Sequence, residues 1–225
     1  RGMAHEIKNP LGGIRGAAQL LDRELSDDDQ REYTRVIIDE ADRLRSLVDR
    51  MLGPNKALKI APTNIHEILE RVRTLIEAES KGRVCLRRDY DPSIPEFPGD
   101  KEQLIQAFLN IARNAMEAAF ENEAASGRSA TPTITFRSRA LRQFTIGHRR
   151  HRLVCRVDII DNGPGIPPEL LQNIFYPMIS GRASGTGLGL SITQSIIGQH
   201  RGLVECESES GRTDFIIFLP LEDSK

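Results

Sequence analysis

A pair of helical seams in the first 52 residues constrains the fold most tightly. Met3, Ile7, Leu11, Ile14, Ala18, Leu21 and Leu25 are separated by 4, 4, 3, 4, 3 and 4 residues. That alternation keeps one apolar stripe of a helix against a neighbouring helix. Ser26-Asp27-Asp28-Asp29 breaks the pattern and signals the N-cap of a second helix. There Tyr33, Ile37, Ala41, Leu44, Val48 and Met51 repeat the seam, with Asp39, Glu40, Arg43 and Arg45 outside it, until Gly53-Pro54. Two helices joined by a short turn form an αα-hairpin, which buries too little surface to stand alone. Pairing with a second copy into a four-helix bundle satisfies the seam. The competing arrangement packs the hairpin on the rest of its own chain. The helical pattern is already running at Arg1-Gly2-Met3 without a cap, which reads as a cut from a longer protein.

Residues 53–63 read as a linker, and beyond it the periodicity is mixed. Ile65, Ile68, Leu69, Val72, Leu75 and Ile76 predict a helix over 64–80, followed by a strand at 83–90. Asp100 caps a helix to about Phe120 whose stripe includes Leu104, Ala107, Phe108, Ile111, Ala115 and Ala118. Strands are predicted at 133–144 and 152–160 with a tip around Gly147, then a helix near 187–199 and strands near 203–209 and 213–219. The fold class is therefore α+β. A helical-hairpin dimerisation domain over 1–52 precedes an α/β sandwich over 64–225, one mixed sheet with helices on one face. With 31 basic and 32 acidic residues the net charge is −1, which argues against a generally basic nucleic-acid binder. The absence of a long apolar run and of a leader pattern points to a cytoplasmic chain without membrane attachment. Cys85, Cys155 and Cys206 are scattered and read as buried small hydrophobes rather than a disulfide framework or zinc site.

Four constellations carry chemistry. In His5-Glu6-Ile7-Lys8-Asn9-Pro10, His5 lies opposite the seam with Asn9 one turn further, and Pro10 interrupts the helix ladder. A plain surface histidine is the competing reading, and Asn9 in place of a second His excludes a zinc protease. Asn110 and Asn114 share a helix face, and an amide oxygen suits phosphate-bound Mg²⁺. Asp161-Asn162-Gly163-Pro164-Gly165 follows a predicted strand, placing an acceptor for an exocyclic amine beside glycines that let a ring approach the backbone. Gly185-Thr186-Gly187-Leu188-Gly189 opens a helix, whose free amides suit phosphate oxygens. It is not a Walker A loop, and neither HRD nor DFG occurs.

In this order and spacing the constellations resemble the transmitter region of two-component sensor histidine kinases. The first matches the phosphoacceptor box, and the others match the N, G1 and G2 boxes. Gly211-Arg212-Thr213-Asp214-Phe215 resembles the last adenine-pocket motif. The runs Ala4–Leu21 and Phe175–Arg182 are most like the nitrogen-regulation branch of that family.

The resemblance implies a homodimeric, ATP-dependent histidine autokinase with an ATP-binding domain of the histidine kinase, gyrase and Hsp90 type. It implies that Asp161 meets the adenine amine, that Gly163 and Gly165 shape the base pocket, and that Thr213 lies beneath it. Asn114 would hold Mg²⁺ with help from Asn110, and Gly185, Thr186, Gly187, Leu188 and Gly189 would meet the phosphates. Residues 166–184 would form a mobile lid. Related ATPases place a glutamate where Asn110 stands, and an amide cannot act as base for water. His5 would then be the nucleophile, with Glu6 fixing its tautomer. Asn9 would align water for dephosphorylation of the regulator. The implied partners are a response regulator of the NtrC type, phosphorylated on an aspartate, and a PII signalling protein that favours the phosphatase state.

The sequence departs from the family pattern at Glu117, where Lys is common, and at Met178, where Phe is usual. Arg113 and Arg182 are the candidates for the missing phosphate-binding cation. The segment Arg137–Arg156 holds seven Arg, two His and no acid, which reads as a solvated hairpin or as a surface for an acidic partner. An alternative function is an ATP-binding interaction module for the regulator and PII with little activity of its own.

Overall fold

The apolar seam folds as two long helices, α1 (Gly2–Glu24), which runs through Pro10 without a break, and α2 (Asp28–Met51). The computed structural model describes residues 2–25, 27–51, 58–125, 131–179 and 187–222, and the side chains of 2–8, 28, 45–51 and 125 fall outside that description. The chain divides into two units, Arg1–Asn55 and Lys56–Lys225. In the first, the Asp27 carboxylate accepts the Asp29 amide at 3.0 Å, as an N-cap does. Arg15 Nε meets Asp42 at 2.8 Å, and Thr34 Oγ1 donates to Asp22 at 2.5 Å, tying the helices together. The seam is covered unevenly: Ala18 and Ala41 are buried and Leu11 and Leu25 half-buried, whereas Ile14, Leu21, Tyr33, Ile37 and Leu44 stay 41–71% exposed. Met3, Ile7, Val48 and Met51 lie outside the described side chains.

The second unit runs β1 (Ala61–Thr63), α3 (Ile65–Ser80), β2 (Cys85–Asp89), β3 (Phe97–Gly99), α4 (Lys101–Ala125), β4 (Thr133–Ile146), β5 (Arg149–Asp161), α5 (Pro168–Leu171), α6 (Gly189–Gln199), β6 (Leu203–Glu209) and β7 (Arg212–Pro220). Its main sheet has the order β2-β4-β5-β7-β6, with β2 parallel to β4 and every other pair antiparallel. Alternation puts Ile134, Phe136, Val157, Ile159, Phe215 and Ile217 on the face covered by the helices, all buried. Phe108 and Ile111 of α4 are fully buried in that layer, each stabilising by about 1.5–3 kcal/mol.

Three sequence expectations change. Part of the expected linker is a strand, since Ala61–Thr63 pairs with Phe97–Gly99 in a separate two-stranded sheet. Cys85 is exposed on β2, while Cys155 is buried and Cys206 half-buried. Ala118 is only half-covered, and the core position falls to Ala119.

The segment entering this unit is anchored. The Lys59 amide donates to Asp100 Oδ2 at 2.9 Å, and the Asp100 amide donates to His200 Nε2 at 2.9 Å. His200 Nδ1 lies 2.8 Å from the Ile196 carbonyl, so the acceptor role at Nε2 puts the proton on Nδ1. The N-terminus of α4 and the C-terminus of α6 are thereby locked together. Nearer the other end of α6, Thr193 Oγ1 donates to the Ala107 carbonyl at 3.2 Å. Among the described residues no helix is long and apolar enough to cross a membrane.

Candidate functional site

The helix-covered face of the sheet opens at one end into a cleft of about 460 Å³, a volume typical of small-molecule sites. Four elements wall it: α4, the end of β5 with its following loop, the segment around α5, and the start of α6. On α4, Asn110, Asn114 and Ala118 recur every four residues and all line the cleft, with Arg113 and Glu117 beside them. Asp161, the last residue of β5, sits directly across from Thr213 of β7, and both are buried. Phe215, two residues along β7, completes the base of the cleft.

The loop after β5 is held by its own polar groups. Asp161 Oδ1 accepts the Gly163 amide at 2.8 Å. The Asn162 side chain accepts the Thr133 amide at 2.8 Å and donates to the Thr131 carbonyl at 2.9 Å. The Ile166 amide donates to Ser208 Oγ at 2.8 Å, and Ser208 Oγ lies 3.0 Å from Thr213 Oγ1. Gly165 has φ +90°, and a Cβ there would come within 2.5 Å of the Glu209 carbonyl oxygen. Only glycine fits both the conformation and the space. A Cβ on Gly163 would come within 2.6 Å of the Ala118 methyl, so the loop lies directly on α4.

At the opposite end of the cleft, Gly187 and Gly189 line the wall where α6 begins. Asn110 Nδ2 donates to the Gly189 carbonyl at 3.1 Å, joining the predicted N and G2 boxes. Asn114 makes no side-chain hydrogen bond to another described residue and has an amide oxygen to offer in the cleft. Leu188 is 1% exposed and packs in the core, so its side chain serves the fold while its backbone begins the helix. Arg113 lines the cleft but forms a two-point ion pair with Glu79, at 2.5 and 2.9 Å.

The predicted residues Asn110, Arg113, Asn114, Asp161, Gly165, Gly187, Gly189 and Thr213 are thus assembled around one cavity, with Gly163 just behind it. Arg182, Gly185 and Thr186 lie outside the described residues. His5, Glu6 and Asn9 are on α1 of the other unit; Asn9 is exposed, and the side chains of His5 and Glu6 are not described. Sequence reasoning placed Phe215 inside the last adenine-pocket motif without giving it a role of its own, and missed the apolar wall of Ile166, Leu170, Ile174 and Ile179. The i, i+4 repeat from Asn110 through Asn114 is the signal that would have found Ala118, which its spacing had assigned to the core stripe, as a wall residue.

The cleft offers one chemistry per end. A buried carboxylate and hydroxyl beside apolar walls suit a flat heteroaromatic ring with an amine. A helix start, glycines and an uncommitted amide suit phosphates and a hard cation. Among the described residues no group of three His, Cys, Asp or Glu could hold a metal ion, so a cation here would share Asn114 with its ligand's own oxygens.

Residues 99–223 match the family described as Histidine kinase-, DNA gyrase B-, and HSP90-like ATPase, and residues 1–57 match the His Kinase A (phospho-acceptor) domain. The chain belongs to that ATPase family. It is similar to the sensory histidine kinase/phosphatase NtrB of Vibrio alginolyticus, with 54% identity over 221 residues, covering 98% of this chain and 61% of that protein. The chain therefore spans about 61% of the length of such curated relatives. The crystal structure of histidine kinase ThkA in complex with response regulator protein TrrA matches at TM-score 0.60 and 26% identity, over 98% of this chain and 60% of ThkA. Full-length ShkA in complex with AMPPNP matches at TM-score 0.64 and 24% identity, over 99% of this chain and 45% of ShkA, a likeness of fold.

Proposed function

We propose that this chain is the catalytic region of an NtrB-type sensor kinase, a homodimeric ATP-dependent histidine autokinase that phosphorylates His5. The observation that carries this reading is the cleft itself. A buried Asp161–Thr213 base and an uncommitted Asn114 near a helix start lie in one chain with His5-Glu6-x-x-Asn9-Pro10. The relatives named histidine kinase/phosphatase NtrB support it.

In the proposed reaction Asp161 accepts the adenine amine, Gly163 and Gly165 admit the ring, and Thr213 lies under it. The backbone from Gly185 through Gly189, including Thr186 and Leu188, faces the phosphates. Asn114, with help from Asn110, would hold Mg²⁺, which would neutralise phosphate charge when bound. Asn110 cannot deprotonate water and is itself engaged with Gly189, so hydrolysis is disfavoured. A neutral ring nitrogen of His5 attacks the γ-phosphorus, the bond to the β,γ-bridging oxygen breaks, and ADP leaves. Glu6 accepts the other ring N–H and stabilises the positive ring.

The phosphoryl group then passes to an aspartate of an NtrC-like response regulator, a partner class supported by the regulator bound to ThkA. Asn9, exposed on α1, orients water for the opposing phosphatase activity, in which water takes the phosphoryl group from the regulator's aspartate and inorganic phosphate leaves, and a PII signalling protein shifts the balance to it. The exposed side chains of Ile14, Leu21, Tyr33 and Ile37 support the dimer.

ATP labelled in the γ-phosphate should give an acid-labile, base-stable label on the chain, transferable to an NtrC-type receiver domain. His5→Gln should abolish it. Normal labelling of His5→Gln would overturn the assignment, and ATP binding without any label would favour the interaction module.

A further inference from the structure

The sheet carries two populations of arginine. Arg137 and Arg139 pair with Asp89, Arg156 with Asp158, and Arg212 with Asp214, at 2.6–3.1 Å. Arg142, Arg149, Arg150 and Arg152, towards the tip of the β4–β5 hairpin, are exposed, and among the described residues none has an acidic partner. The segment Arg137–Arg156 contributes seven positive charges and no acid in a chain of net charge −1, so the remainder carries −8.

This tip is not a loose, solvated loop. Gln143 adopts φ +51°, and beyond it Phe144 stacks on Phe218 with centroids 4.7 Å apart. Ile146 joins Val154, Ile216 and Phe218 in a separate apolar cluster. The hairpin end is thereby clamped to the sheet face that the helices leave open. Ile146 faces Arg149 in the register, and Thr145 faces Arg150. Arg150 and Arg152, two residues apart on β5, are both exposed, with Arg150 braced on Gln143 Oε1 at 2.8 Å. Residues two apart on a strand lie about 6.6 Å apart. Carboxylates at i and i+4 on a helix repeat about every 6 Å. A guanidinium fork takes a carboxylate in two-point geometry, and a pre-set pair loses less side-chain freedom on binding.

We infer that the exposed arginines at the end of the β4–β5 hairpin form a docking surface for the acidic face of a partner protein's helix, engaged by Arg150 and Arg152. The exposed side offers no aromatic ring for base stacking, because Phe144 is turned inward. Nor does it offer an apolar side chain to insert in a bilayer, because Ile146 is buried. A nucleic acid or an anionic membrane would also extend past the patch and meet the net negative remainder of the chain.

The test uses the whole chain and a soluble helical peptide with Glu at successive i and i+4 positions, labelled for anisotropy at low ionic strength. A second peptide has the same composition with the Glu residues scrambled around the helix. The striped peptide should bind at least about tenfold more tightly to the parent chain than to Arg150→Glu/Arg152→Glu. The variant Arg71→Glu/Arg87→Glu, with the same charge change elsewhere, should lose no more than about twofold. Both variants should keep their melting temperature and ATP affinity. Equal losses in the two variants, or equal binding of the scrambled peptide, would overturn the inference. So would tighter binding of oligothymidylate or of phosphatidylglycerol vesicles.

Discussion

The helical unit and the α/β unit bury their apolar residues in opposite ways. In the α/β unit, residues with helix or strand periodicity are covered by that unit's own layers: Phe108, Ile111, Phe136 and Ile159 are fully buried. In the helical unit an equally regular pattern leaves most of its larger described members in the open. Ala18 and Ala41 are covered, while Tyr33 is 71% and Ile14 51% exposed. Periodicity therefore identifies an apolar face without saying which surface will cover it. A face left open on two tied helices is half of an interface.

The contrast breaks most sharply if the open seam is charged. Ile14→Glu with Ile37→Glu puts unpaired carboxylates into the proposed dimer interface in both copies. A cost of about 4 kcal/mol corresponds to roughly a thousandfold weaker dimer. Sedimentation should show monomers at micromolar concentration, with ATP affinity retained, since the described residues that line the cleft all belong to the other unit. A variant that still sediments as a dimer would show that the seam is covered by something other than a second copy.

The next effect lies within the α/β unit. Gly165→Ala must place a methyl 2.5 Å from the Glu209 carbonyl at φ +90°. Strain of about 2–3 kcal/mol should force the loop after β5 to move. ATP affinity, measured by titration calorimetry, should fall roughly thirtyfold or more, with the dimer unchanged. An unaltered affinity would mean that this loop does not shape the base pocket.

How much of this was legible depends on the range over which a signal acts. The long helices and the main-sheet strands have regular spacing, and their existence follows from it. The small sheet does not, because Ala61–Thr63 and Phe97–Gly99 are three residues each and carry Pro62 and Pro98, so no alternation can develop. Charge hid the full length of β5: Arg149 and Arg150 look like a loop until Phe144 and Ile146 are seen clamped to the sheet. In the site, residues with special chemistry announced themselves (Asp161, Gly165, Asn114), whereas Leu170, Ile174 and Ile179 are ordinary apolar residues until the cleft forms around them. The partner of Arg113 could not be read at all, since Glu79 lies 34 residues away on another helix.

That last pair supports the smallest and most discriminating measurement. Arg113 and Glu79 meet in a two-point pair whose side chains are 47% and 33% exposed. Such a surface pair contributes at most about 1 kcal/mol. The hydrogen bond from Arg113 holds the Glu79 carboxyl below its ordinary pKa. A depressed folded-state pKa means that the contribution is present above the unfolded value of about 4.3 and is lost as pH falls through the folded one. Glu79→Gln should therefore lower the melting temperature slightly at pH 7, and the difference should close in acid. The nucleotide separates two roles for Arg113. If it is the cation that meets the phosphates, Glu79→Gln frees it and should tighten ATP a few-fold, while Arg113→Ala should weaken ATP by a similar factor. If Arg113 serves only to tie α3 to α4, both variants should lower the melting temperature alike and leave ATP affinity where it was.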